Sequence, residues 1–171
     1  MAAKKTIAIV GATSKTGRAI VAHFAALAYR LLLVSDNPGE LNRVTEEITH
    51  QFPDLEMESL GCVKDGCWEA DVIIIAVAPA EERHVAELMK EVSTQKIVVA
   101  ISESEKECED LEKILPHSKV LKATINEKDR RIFIRSANET VNEEMTVIFE
   151  EAGYRCTLVN ENEDRHPIIK N

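Results

Sequence analysis

Aromatic residues are scarce in this chain. One Trp, two Tyr and four Phe make up 4% of 171 residues, beside 6 Gly, 5 Pro and 4 Cys. So little glycine and proline excludes a collagen-like or low-complexity chain. The cysteines, Cys62, Cys67, Cys108 and Cys156, are scattered and form no C-x-x-C pair, and no histidine lies near Cys62 and Cys67 in sequence. That excludes the spacing of a structural zinc site, and the thiols read as small buried apolar residues of a reducing compartment. Basic residues are also short, 21 against 30 acidic ones, for a net charge of −9. Nucleic acid and anionic membranes both demand a dense cationic face, so neither is expected as a partner. The longest strongly apolar run, Val72 to Ala78, is strand-sized, far below the 18 or so residues of a membrane helix. Met1-Ala2-Ala3-Lys4-Lys5 leads into a short strand-like run without an apolar signal core. The expectation is a cytoplasmic, acidic, globular protein.

What the chain does have is a 44% hydrophobic content laid out with an alternating period. Thr6–Val10, Leu31–Val34, Asp71–Val77, Ile97–Ile101, Lys119–Ile125, Ile132–Ile134 and Cys156–Val159 read as strands, most of them apolar on both faces. Leu55–Leu60 alternates and reads as a strand nearer the sheet edge. Between them lie helical spacings: Ile20, Phe24 and Leu27 within a helix from Thr16 to Tyr29; Leu41, Val44 and Ile48; Val85, Leu88, Met89 and Val92; Leu111, Ile114 and Leu115; and Val141, Met145, Ile148 and Phe149. Strands alternating with helices predict a three-layer α/β sandwich, a doubly wound, mostly parallel sheet of Rossmann type, in one domain over residues 1–159. The polar residues 160–171 read as a loose tail.

Chemistry enters at the first strand-to-helix turn, Gly11-Ala12-Thr13-Ser14-Lys15-Thr16-Gly17. Backbone N–H groups at such a turn, with a helix amino terminus behind them, can face a pyrophosphate. Gly11 permits the turn, Gly17 lets the helix pack close, and Ser14 occupies the place of the usual middle glycine. An ordinary strand–helix turn is the alternative, and the absence of G-K-[ST] excludes a P-loop. Asp36 lies 19 residues after Gly17, at the end of the second strand. A carboxylate there can accept both ribose hydroxyls of NAD and repel a 2′-phosphate, or it can simply serve the turn before Asn37-Pro38-Gly39. Only Arg43 and Lys15 offer nearby positive charge for NADP. The expected cofactor is NAD(H) or NADP(H), with NAD(H) slightly favoured.

The segments Ile7–Thr13, Ala70–Pro79 and Gln95–Ile101 resemble the nucleotide-binding domain of the deazaflavin-coenzyme-dependent NADP reductase family. Pyrroline-carboxylate reductases and six-transmembrane metalloreductases share the pattern. The resemblance covers roughly residues 4 to 125 and, more weakly, the chain to Val159. It implies pyrophosphate contacts at Gly11, Ala12, Thr13 and Ser14, within the loop completed by Lys15, Thr16 and Gly17. It puts the adenosine ribose or its phosphate at Thr13, Ser35 and Asp36, and the nicotinamide ribose against Ala76, Val77, Ala78 and Pro79, with Ser102 beyond the next strand. It also implies a homodimer. The chain departs from the family at Ser14, at Asp36 where an Arg usually meets the 2′-phosphate, and at Asn126 to Arg130, where a segment that helps hold the second cofactor is nearly absent.

No familiar catalytic set accompanies the loop. Tyr-x-x-x-Lys is absent, since Tyr29 is followed four on by Leu33 and Tyr154 by Leu158, and there is no G-x-S-x-G or H-E-x-x-H. His84 could reach a nicotinamide pocket or sit solvated on a Glu-rich helix; His23 reads as packed or partly exposed. The run Glu103, Glu105, Glu107, Glu109 and Asp110 reads as a face turned to water. Hydride transfer between bound partners needs little acid–base help. The favoured reading is therefore a small oxidoreductase moving hydride between nicotinamide and an unidentified small-molecule acceptor. A non-catalytic dinucleotide sensor or interaction domain, and a flavodoxin-like domain without a dinucleotide, remain open.

Overall fold

The computed structural model describes residues 4–103, 110–136 and 138–159. The expected tail, Cys108, and Glu105, Glu107 and Glu109 of the acidic run lie outside the described residues.

Eight strands form one sheet in the order β3-β2-β1-β4-β5-β6-β7-β8. They are β1 (Thr6–Val10), β2 (Arg30–Val34), β3 (Met57–Leu60), β4 (Val72–Ile75), β5 (Ile97–Ser102), β6 (Lys119–Asn126), β7 (Arg131–Arg135) and β8 (Arg155–Leu158). The helices are α1 (Lys15–Ala25), α2 (Pro38–Gln51), α3 (Val63–Trp68), α4 (Pro79–Met89), α5 (Leu111–Ile114) and α6 (Glu139–Glu151). The first six strands are parallel, β7 runs antiparallel to β6, and β8 runs parallel to β7. The α/β doubly wound architecture expected from the alternating pattern is the one found.

Side chains alternate across β1, so Ile7 and Ile9 enter one core with Ile20, Phe24, Val44, Met145 and Phe149, while Ala8 and Val10 enter another with Cys67, Met89 and Leu111. A strand buried on both faces must be apolar at every position, which is why β1, β2 and β4 read as continuous runs. Thus α1, α2 and α6 cover one face, and α3, α4 and α5 the other. Edge strand β3, which alternates, has no fully buried residue.

Several boundaries differ from the sequence reading. The first helix stops at Ala25 rather than running to Tyr29; Leu27 and Tyr29 pack on the core from the turn beyond it. The central strand stops at Ile75, and Pro79 opens α4 instead of merely ending the strand, a position where its missing N–H costs nothing. The last strand is Arg155–Leu158, with Val159 outside it, although the Val159 N–H still bonds Ile134 O at 2.9 Å. Helix α3 has no counterpart in the hydrophobic pattern, because six residues with buried Gly66 and Cys67 are too short to show a period. Among the described residues no helix is long and apolar enough to cross a membrane.

Candidate functional site

The strands β1 and β4 are neighbours whose following helices go to opposite faces of the sheet. Such a switch in winding leaves a crevice beyond the carboxyl ends of the strands. Here it is a cleft of about 710 Å³, walled by the first glycine turn, the ends of β2 and β4, the β3–α3 turn and the outer side of α4. A smaller depression of about 500 Å³ lies at the opposite, amino-terminal edge between the chain after α1 and the chain after α2. Helix carboxyl ends face that depression, which disfavours an anion there.

Gly11 makes the turn at φ 87°, and a Cβ on it would lie 2.5 Å from Ala76 O. The Gly11 and Ala12 N–H groups bond Val34 O at 2.9 and 3.1 Å, tying the turn to the end of β2. Gly17 comes so close beneath that an added Cβ would stand 1.9 Å from Gly11 O. Ser14 is the amino-terminal cap of α1: its Oγ accepts from Gly17 N at 2.9 Å and donates to Ala76 O at 2.7 Å. The serine in place of the middle glycine therefore joins the loop to the exit of β4. Thr13 Oγ1 and Ser35 Oγ lie 2.9 Å apart, and Ser35 Oγ also accepts from Asn37 N at 3.1 Å, which fixes the start of the chain leading into α2. Asp36, exposed, lines the cleft beside this hydroxyl pair.

The expected site residues fall into three groups. Gly11, Thr13, Ser14, Ser35, Asp36, Val77 and Ala78 all line the cleft. Ala12, Gly17 and Ala76 are buried and support its wall from behind. Lys15, Thr16, Pro79 and Ser102 do not line it. Thr16 Oγ1 instead donates to Glu103 Oε1 at 3.3 Å, across the other side of the α1 amino terminus.

Of the second wall, the sequence reading reaches only His84. Gly61, Cys62, Val63 and Lys64 contribute from the β3–α3 turn, and Glu81, His84, Val85 and Leu88 from α4. Leu88 had been grouped with the core stripe, but it is 44% exposed; Val85, Met89 and Val92 are the buried ones. Its spacing from Glu81 and His84 places all three on the flank of α4 facing the cleft. Cys62, read as a buried thiol, is exposed, whereas Cys67 is fully buried and its thiol is pushed up to about 12 by loss of solvation. Lys64 Nζ pairs with Glu91 Oε2 at 2.7 Å, which raises the ammonium pKa and lowers that of the carboxyl. His23 packs edge-on against Tyr154, with ring centroids 5.0 Å apart, and bonds Glu127 at 3.2 Å, away from the cleft lining. Among the described residues no cluster of His, Cys, Asp and Glu could hold a metal ion.

A glycine turn, a capped helix amino terminus and a carboxylate at the end of β2, all at one switch point, define a Rossmann-type nucleotide-binding domain of the NAD(P)-dependent oxidoreductase class. More particularly, residues 6–104, which is 99 of the 171, match the family model "NADP oxidoreductase coenzyme F420-dependent", and the chain belongs to this family. No curated protein matches it in sequence.

Solved structures share the fold at low identity. A protein from Arthrobacter sp. FB24, described as an F420-dependent NADP reductase, superposes with TM-score 0.69 at 16% identity over 91% of this chain and 83% of its own. The pyrroline-5-carboxylate reductase of Coxiella burnetii gives 0.70 at 19%, over 91% of this chain and 58% of its own. That of Plasmodium falciparum, solved with NADP bound, gives 0.67 at 15%, over 93% and 59%. This chain thus spans little more than half of either carboxylate reductase.

Proposed function

We propose that the cleft holds the adenosine and pyrophosphate portion of NAD(H), and that the chain passes hydride between nicotinamide and a small-molecule acceptor. The observation that carries this reading is the position of Asp36: a carboxylate lining the cleft, next to the Thr13–Ser35 hydroxyl pair and across from an apolar wall of Val63, Val85 and Leu88. A carboxylate suits a ribose diol and opposes a 2′-phosphate, and an apolar wall suits a purine face. The fit is supported by the cleft volume of about 710 Å³ and by the glycine turn at its floor.

The residues divide the work. The turn at Thr13 and the amino terminus of α1 offer N–H groups and a positive dipole end to the pyrophosphate, while the Gly11, Ala12 and Ser14 N–H groups are bonded within the fold and shape the turn. Ser14, bound to both Gly17 N and Ala76 O, keeps that turn rigid and abutting β4. Asp36 orients the adenosine ribose, and Lys64, held by Glu91, leaves little free cation to attract a further phosphate. The nicotinamide ribose would lie along Ala76–Pro79 toward Ser102. When bound, the dinucleotide supplies the hydride chemistry itself, so the protein's task is placement and exclusion of water. The acceptor would meet the nicotinamide at the carboxyl edge of β4 and β5, or at a partner's surface there.

Thermal unfolding with NAD, NADP and their reduced forms tests the reading. At 100 times its Kd a ligand adds about 2.7 kcal/mol. For a chain of this length that is a rise of roughly 5–10 °C. The rise is expected with NADH and not with NADPH, and Asp36→Asn should weaken NADH about tenfold, the loss of one charge-assisted hydrogen-bond pair. A rise with NADPH alone would discard the role of Asp36, and no rise at all would discard the cleft. Oxidation of bound NADH by a flavin or deazaflavin acceptor separates an oxidoreductase from a domain that only senses the dinucleotide.

A further inference from the structure

Beside the Asp36 end of the cleft stands a cluster that the glycine loop and Asp36 do not explain. Arg18, in the second turn of α1, donates from Nε to Thr13 O at 3.0 Å, so its guanidinium is anchored on a residue that lines the cleft. A second guanidinium nitrogen, Nη2, is bonded to Glu40 Oε2. Glu40 sits in the first turn of α2, where its N–H bonds the side chain of Asn37, the residue after Asp36. The second oxygen of Glu40 takes Arg43 Nη1 at 3.2 Å. One carboxylate therefore occupies two guanidinium groups, and the cluster is tied to Thr13 through Arg18 and to Asn37, the neighbour of Asp36, through Glu40.

We infer that Glu40 is a specificity-determining residue: by holding Arg18 and Arg43 it withholds from a 2′-phosphate the cations that would otherwise bind it. The inference rests on the reading of the cleft as a dinucleotide site. The physical argument is one of competition. A 2′-phosphate and a carboxylate seek the same planar fork of donors, and Arg is the side chain that serves either in bidentate fashion. Arg18 cannot swing freely, because its Nε is held on Thr13 O, so its remaining donors face whatever stands at the start of α2. Glu40 also lies in the first turn of α2, where the positive end of the helix dipole attracts its carboxylate. Asp36 opposes the phosphate directly; Glu40 removes its counter-charges. Together they explain how a chain with two arginines near the β2 end still presents an acidic rather than a basic ribose site.

The test compares the affinities of NADH and NADPH for the wild type, Glu40→Gln, and Arg18→Gln/Glu40→Gln, by calorimetry. Glutamine keeps the size of Glu40 and its place in the helix, and far-UV circular dichroism checks that each variant is folded. Glu40→Gln should raise the affinity for NADPH about tenfold, the scale of one screened charge-assisted contact, and leave NADH within about twofold. The double variant should lose that gain, because the freed guanidinium is gone. A NADPH-to-NADH ratio unchanged in Glu40→Gln overturns the role of Glu40, while a wild type that binds NADH keeps the reading of the cleft intact. A gain that survives in the double variant also overturns it, since Arg18 is then not the cation released. A wild type that binds neither dinucleotide, or that prefers NADPH, overturns the cleft reading or its NAD preference, and this inference with it.

Discussion

The two ends of the sheet use the same α/β ingredients differently. From β1 to β5 each strand runs parallel to its neighbours; the carboxyl ends of β1 to β4 open onto turns that lead into helices, and the cleft forms where those helices part company. After β6 the direction reverses: Asn126 to Arg130 close β6 onto β7 in a tight turn, with Arg130 at φ 51°. That turn is tied down, with Glu127 bonded to both His23 of α1 and the Tyr154 hydroxyl. Phe149 packs edge-on to Phe24 and Tyr154 just beneath, at centroid distances of 6.2 Å. Parallel strands create a binding edge and the reversed pair creates packing, so the first region should carry binding and the second mainly stability.

The largest expected effect falls in the second region. Phe149→Ala removes a fully buried ring from the aromatic cluster and should cost about 3–5 kcal/mol, seen as a large drop in the denaturant midpoint. Dinucleotide affinity of the molecules that remain folded should change less than twofold; a tenfold loss would break the division between regions.

Gly11→Ala should act the other way. It places a Cβ 2.5 Å from Ala76 O at a positive φ, a strain of about 1–3 kcal/mol, so stability falls less than in Phe149→Ala. Dinucleotide-induced stabilisation should vanish, because the turn itself must move. Retained binding would show that the cleft does not depend on this turn.

The smallest effect is the share of the alkaline pH dependence that falls to one thiol in each region, beside the part carried by the raised phenols of Tyr29 and Tyr154. Burial pushes Cys67 up to about 12 and Cys156 up to about 11 from the ordinary 9.0. Both pKa values are raised in the folded chain, so the unfolded chain ionises first: the stability is complete below pH 9 and falls as pH rises through the range to the folded value. Cys67→Ala should flatten this alkaline loss more than Cys156→Ala, measured as unfolding free energy from pH 8 to 11. Equal effects would mean that the two cores exclude water equally.

Much of the first region could be read before folding, because its signals are local. A strand buried on both faces must be continuous in apolar residues, as in Ile73-Ile74-Ile75, and a glycine forced to positive φ marks its own turn, as at Gly11. Asp36 was found by its distance along the chain from that turn. The other wall of the cleft was legible only at His84. Leu88 obeys the core period of α4 while facing out, and Cys62 to Lys64 carry no pattern at all.

The sequence by itself determined the layering of the fold, the first turn and the acidic character of the β2 end, since each follows from a residue and its near neighbours. Only the tertiary structure decided that β7 reverses, that Ser14 grips Ala76 across 62 positions of chain, and that Glu40 stands between Arg18 and Arg43. The reason is physical: period and turn chemistry act over a few bonds, whereas a cleft and its charge pairs depend on which distant segments the packing brings side by side.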